Sequence, residues 1–169
     1  MSESTLTKED AIVVVERIFD APVDLIWQMW TEPEHFHNWY GPQGLKIPLV
    51  EMDLRVGGQR LCCMETQTPN GNMQFWTYGE YLEIVPKERL VYTDIPSNEK
   101  PNLEVNDDSS TFTTVVTVLL EDLGGKTKVV VRHDGFPEDM KGARNGAQYG
   151  WTQSLEKMAN YVATVGSHT

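Results

Sequence analysis

Apolar positions along the chain follow two periods. Residues 11–19 (AIVVVERIF) are β-branched and apolar, which predicts a buried strand. Asp20-Ala21-Pro22 then opens a helix, with proline near the first turn, where its missing N–H costs least. Val23, Ile26, Trp27 and Trp30 make one apolar face of that helix. Thr31-Glu32-Pro33-Glu34 has the form of a capping box: the Thr31 hydroxyl is expected on the Glu34 N–H, with Glu34 reaching back. A second short helix follows, carrying Phe36 and Trp39 and ended by Gly41-Pro42.

From Leu45 to His133 the pattern turns to strands, expected at 47–54, 59–66, 73–85, 90–94, 112–121 and 126–133. Pro69-Asn70-Gly71 signals a hairpin, since Asn-Gly tolerates positive φ at both turn positions. Residues 95–110 (IPSNEKPNLEVNDDSS) are too long and polar for a tight turn and predict a mobile loop. Downstream, Ala147, Trp151, Leu155, Met158, Val162 and Val165 recur at helical spacing, predicting an amphipathic helix over 142–165. At 1.5 Å per residue it is about 35 Å long. The order is strand, two short helices, six strands, long helix. A twisted antiparallel sheet covered by that helix satisfies it, so the class is α+β.

Composition narrows the partners. With 169 residues, one domain over 11–165 is expected, flanked by polar tails at 1–10 and 166–169. Lys and Arg number 14 against 25 Asp and Glu, a net charge of −11 that opposes nucleic acid and anionic membrane surfaces. No apolar run approaches the ~20 residues of a membrane span, and the start has no secretory pattern. The only cysteines, Cys62 and Cys63, are adjacent and poorly placed for a disulfide, which predicts a cytoplasmic protein.

Four segments carry a resemblance. FDAPVDLIWQMWTEPEHFHNWYGP (19–42), DLRVGG (53–58), VPKERLVYTD (85–94) and GWTQSLEKMANYV (150–162) occur in this order. They resemble the single-domain proteins related to the C-terminal domain of the Hsp90 ATPase activator, within the START-like, helix-grip superfamily. The resemblance spans about 11–165, and Tyr40 stands where many members carry a second tryptophan. It implies a curved antiparallel sheet of about seven strands gripping the C-terminal helix, with a cavity between them. It also leaves a homodimer open, since relatives are often dimeric. Fold likeness does not assign an activity.

Candidate chemistry is sparse. Trp27, Trp30, Phe36, Trp39, Phe75, Trp76, Tyr78, Tyr92 and Trp151, with Leu155, are read either as walls of a cavity or as ordinary core. Leu61 and Cys63 share a strand face expected to point inward, where a thiol without a basic neighbour is inert packing. Alternation places Thr127, Val129, Val131 and His133 inward, with Lys126, Lys128 and Arg132 toward water. His133 is a polar anchor or general base in one reading, and a core histidine bonded to a backbone carbonyl in the other. Asp53 and Arg55 are read as an ion pair beside a bulge, with Gly57 and Gly58 supplying unusual φ. Glu80 and Glu83 face opposite ways unless the strand is bulged, and His35 and His37 diverge too far to share a metal. No phosphate loop, dinucleotide fingerprint, zinc motif or nucleophile elbow is present, so no cofactor is expected.

Three functions follow. The first is binding of a small hydrophobic or aromatic molecule, with the 95–110 loop as a lid. The second is a cyclase- or hydrolase-type enzyme using His133. The third, suggested by the family name, is an Hsp90 co-factor; nothing in the chain resembles the activator's separate Hsp90-contacting N-terminal domain, which ranks it last.

Overall fold

The computed structural model describes residues 12–41, 44–97, 113–136 and 141–166. Strand β1 is Val13–Phe19, followed by helices α1 (Val23–Thr31) and α2 (Pro33–Phe36). Strands β2 (Lys46–Met52), β3 (Gln59–Thr68), β4 (Gly71–Val85), β5 (Arg89–Ser97), β6 (Thr114–Asp122) and β7 (Thr127–Asp134) precede helix α3 (Lys141–Gly166). The strands form one seven-stranded antiparallel sheet in the order β1-β7-β6-β5-β4-β3-β2. The curved sheet and long C-terminal helix are the α+β arrangement the element order predicts.

Period-two alternation sets the inner face. Val116, Val118 and Leu120 of β6 lie opposite His133, Val131 and Val129 of β7, and all six are buried. Trp151, Ser154, Leu155, Met158 and Val162 form the buried stripe of α3. Ile26, Met29 and Trp30 of α1 and Phe36 of α2 join the same core. Helix α1 ends at Thr31, whose hydroxyl donates back to the Trp27 carbonyl at 2.9 Å. The expected capping box is therefore not formed: Glu32 is the N-cap of α2, without a side-chain cap bond, and Pro33 occupies its first turn. The Thr31 hydroxyl is already committed to the helix behind it.

Two turns differ from expectation. β3 and β4 close with Thr68 opposite Gly71, so the turn residues are Pro69 and Asn70. Gly71 alone takes a positive φ, +114°, and the Thr68 hydroxyl bonds both the Asn70 N–H and the Gly71 carbonyl. β5 runs on through Ile95, Pro96 and Ser97, where the sequence predicts loop. β6 starts opposite Asp94, so, among the described residues, 95–97 pair only with β4, and a proline is tolerated on such a local edge. The remainder of the predicted lid (98–110) and the tails at 1–10 and 167–169 lie outside the described residues.

Candidate functional site

β3 brings an arginine to the inner face. Arg60, Cys62 and Met64 share one side of the strand, with Thr77 of β4 directly opposite Cys62. Leu90, Tyr92 and Asp94 alternate inward from β5, and Tyr92 lies opposite Tyr81 of β4. Arg60 is 1% exposed. Its guanidinium lies 4.0 Å from the centroid of the Tyr92 ring and 3.4 Å from Asp94 Oδ1. A guanidinium carries five donors in a fixed fork, and one long contact to Asp94 leaves it under-satisfied. Arg60 Nε, the Tyr81 and Tyr92 hydroxyls and Thr77 Oγ1 are buried without a hydrogen-bond partner among the described residues. Trp30 Nε1 is in the same condition beside Trp39 and Trp151.

Burial dominates the electrostatics here. It pushes the Tyr92 and Tyr40 hydroxyls well above the usual phenol range. Tyr81 is also raised by burial, opposed by the charge of the neighbouring Arg60 and by its side-chain interaction with that guanidinium. Cys62 is pushed up to about 12 by burial, partly offset by Arg60. All these groups are neutral at physiological pH. The only formal charges of the cluster are Arg60 and Asp94, and they cancel.

His133 joins this cluster to α3 through a chain of hydrogen bonds. The Trp151 indole N–H donates to His133 Nδ1 at 3.0 Å. The Thr114 hydroxyl donates to the Asp94 carbonyl at 2.6 Å, so at 2.7 Å from His133 Nε2 it accepts. These bonds assign the neutral tautomer protonated on Nε2. Burial lowers the His133 pKa, against the pull of Asp94, whose Oδ2 lies 4.0 Å away, and of Asp134. The histidine is thus satisfied, by a tryptophan and a threonine rather than by a backbone carbonyl. Its one free lone pair is occupied by Trp151.

The other expected residues divide between the two faces. Trp30, Phe36, Trp39, Tyr92, Trp151 and Leu155 lie in the main core, with half-buried Trp27 packed against it. Their rings touch one another: Trp30 and Trp39 at 4.6 Å, Phe36 and Tyr40 at 4.5 Å, Tyr40 and Trp151 at 5.7 Å between centroids. Phe75 is half-buried opposite Met64. Leu61, Cys63 and Tyr78 do not point inward. They form a separate cluster with Trp76 and Leu49 on the outer face, because the inner phase of β3 belongs to Arg60, Cys62 and Met64.

The DLRVGG segment is structural in its contacts. Asp53 and Arg55 pair at 2.9 Å as expected, both well exposed. Gly57 takes φ +84°, and a Cβ on Gly58 would fall 2.0 Å from the Asp53 carbonyl. Gly57 N–H donates to the Tyr81 carbonyl, and Tyr81 N–H to Gly58. This clip sits beside a register shift between Tyr81 and Glu83. Glu80 and Glu83 are both exposed, and Glu83 pairs with Arg89. A polar cleft of about 450 Å³ lies here, lined in part by Asp53, Arg55 and Gln59. His35 bonds the Tyr161 hydroxyl at 2.8 Å, while His37 is exposed. No group of three metal-ligating side chains exists among the described residues.

Sequence reading missed Arg60, Asp94, Thr114 and Tyr81. A signal for two of them was present. Asp94 continues the inward phase of Leu90 and Tyr92, and Arg60 shares the phase of Cys62.

A curved antiparallel sheet closed over a C-terminal helix, with polar side chains on its inner face, is the helix-grip, START-like class. The chain belongs to the family described as Activator of Hsp90 ATPase homolog 1-like protein, whose model matches residues 20–163. Among solved structures it is similar to a protein from Nitrosomonas europaea at 24% identity, covering 93% of this chain and 97% of that one, with a TM-score of 0.73. A protein from Chromobacterium violaceum is 25% identical over 89% of this chain and 95% of its own, with a TM-score of 0.72. One from Arthrobacter aurescens is 21% identical over 95% and 90%, with a TM-score of 0.76. No curated protein matches the chain. No helix among the described residues is long and apolar enough to cross a membrane.

Proposed function

We propose that the protein binds a small, largely apolar molecule between the inner face of the sheet and α3. The observation that carries this reading is the group of buried, partnerless polar atoms on that face: Arg60 Nε, Tyr81 and Tyr92 OH, and Thr77 Oγ1. Each such group costs about 1–3 kcal/mol when left unmade, so four in one region of a stable fold call for a resident partner. The aromatic side chains around them suit an apolar body. Both His133 nitrogens are engaged in hydrogen bonds, which favours the binding reading over the enzyme reading. The family's description names an Hsp90 activity, but no feature of the inner face requires a chaperone surface.

Native mass spectrometry of the purified protein, followed by denaturation and identification of released material, tests the proposal. A stoichiometric small molecule is expected, with a melting temperature that falls when it is stripped. An empty mass together with no thermal shift from any member of a small-molecule panel would overturn it. A rise in the ATPase rate of Hsp90 on adding this protein would instead favour the chaperone reading.

A further inference from the structure

We infer that the molecule bound on the inner face presents an uncharged oxygen acceptor, such as a ketone, amide or ester carbonyl, to the Arg60 guanidinium. This rests on the binding reading above and adds the chemistry of the ligand's polar end. Three observations carry it. Arg60 Nε is a donor only, so whatever completes it must accept. The Thr77 and Tyr92 hydroxyls on the same face of the sheet are buried without partners among the described residues and are able to donate. Asp94, 3.4 Å from Arg60 Nη1, already balances the charge in a site where both side chains are almost fully buried. An anionic ligand would leave this enclosed cluster with a net negative charge, against the cost of burying an unpaired ion. A carbonyl takes the free N–H and leaves the balance intact.

A matched set of naphthalenes separates the possibilities by calorimetric titration: 2-acetylnaphthalene, 2-ethylnaphthalene and 2-naphthoate share one apolar body. The ketone is expected to bind at least about tenfold more tightly than either the hydrocarbon or the carboxylate, the factor that one satisfied buried donor supplies. Removing Arg60 alone strands Asp94, so the informative variant is Arg60→Met with Asp94→Asn, which keeps the site neutral. In it the preference for the ketone over the hydrocarbon is expected to fall below about threefold while the hydrocarbon still binds. Preference for the carboxylate would overturn the neutral-acceptor inference and leave the binding site standing. Equal binding of ketone and hydrocarbon, or a preference that survives the double variant, would remove Arg60 from recognition. Failure of all three to bind would overturn the inference, while the binding reading beneath it is decided separately by the released mass and the thermal-shift panel.

Discussion

The hydrogen bonds around His133 make a prediction about pH. A histidine held neutral in the folded protein takes up its proton less readily than in the unfolded chain, where its pKa is about 6.5. Below that value the unfolded state binds more protons, so stability falls as pH falls. The loss continues down to the folded pKa and then levels off. One such proton contributes at most about 1.4 kcal/mol per pH unit. Above about pH 6.5 the contribution is fully present. Arg60 works in the same direction as burial, while Asp94 and Asp134 oppose it, which narrows the window without reversing its sign.

The perturbation is His133→Gln, which cannot titrate but offers an oxygen to the Trp151 N–H and an N–H to Thr114. With both bonds remade it should cost about 1 kcal/mol at pH 7.5, whereas His133→Leu, which leaves the Trp151 donor buried and unmade, should cost about 2–4 kcal/mol. Urea unfolding followed by tryptophan fluorescence measures both. The stability gap between the natural protein and the Gln variant should shrink as pH falls from 7 toward 5. The subtraction isolates what the His133 imidazole contributes to the pH dependence. A gap that stays constant or widens on acidification would mean the folded state binds the proton as easily as the unfolded chain. The assigned tautomer and its donor from Trp151 would then be wrong.

Other consequences are simpler to read. Gly79→Ala places a Cβ 2.1 Å from the Thr93 carbonyl, so the β4–β5 ladder must part; a loss of about 2 kcal/mol or more is expected in thermal unfolding. Ser154→Ala removes the 2.9 Å acceptor of the buried Gly41 N–H that ties α3 to the end of the α2 segment, at a cost of about 1–3 kcal/mol by urea titration. Arg60→Met should destabilise by about 3–5 kcal/mol, and adding Asp94→Asn should recover much of it, because the single variant leaves a buried carboxylate alone. Neither thiol should react with Ellman's reagent in the folded protein, since Cys62 and Cys63 are both buried, and two should appear on unfolding in denaturant.

How far the sequence discloses this molecule depends on whether a signal repeats. The strands, their order and α3 were legible because each rests on many alternating or helically spaced apolar residues, and one misread position changes little. Boundaries set by a single contact were not. Thr31 has the letters of a capping box, but its hydroxyl turned to Trp27, and no pattern distinguishes the two partners. Cys63 shows the same limit at the level of a face. Arg60-Leu61-Cys62-Cys63 offers apolar side chains in both phases, so hydrophobicity favoured Leu61 and Cys63 for the interior, and the structure placed the arginine there instead.

That inversion identifies the candidate site. Had Leu61 and Cys63 faced inward, the inner wall of β3 would have been apolar and Arg60 a surface charge. The β3–β4 register instead sets Arg60 opposite Gly79 and Cys62 opposite Thr77, and the absent Cβ at Gly79 lets β4 approach the Thr93 carbonyl of β5. A satellite cluster of Leu61, Cys63, Trp76, Leu49 and Tyr78 covers the side of the strand that water would otherwise reach. The outer face therefore carries the apolar packing that the inner face gives up to Arg60. A fold that needed only stability would place these side chains the other way round, since a well-packed apolar pair in place of a buried ion pair is commonly neutral or stabilising. The inward arginine, with its donor unmade, is the observation on which the proposed binding rests.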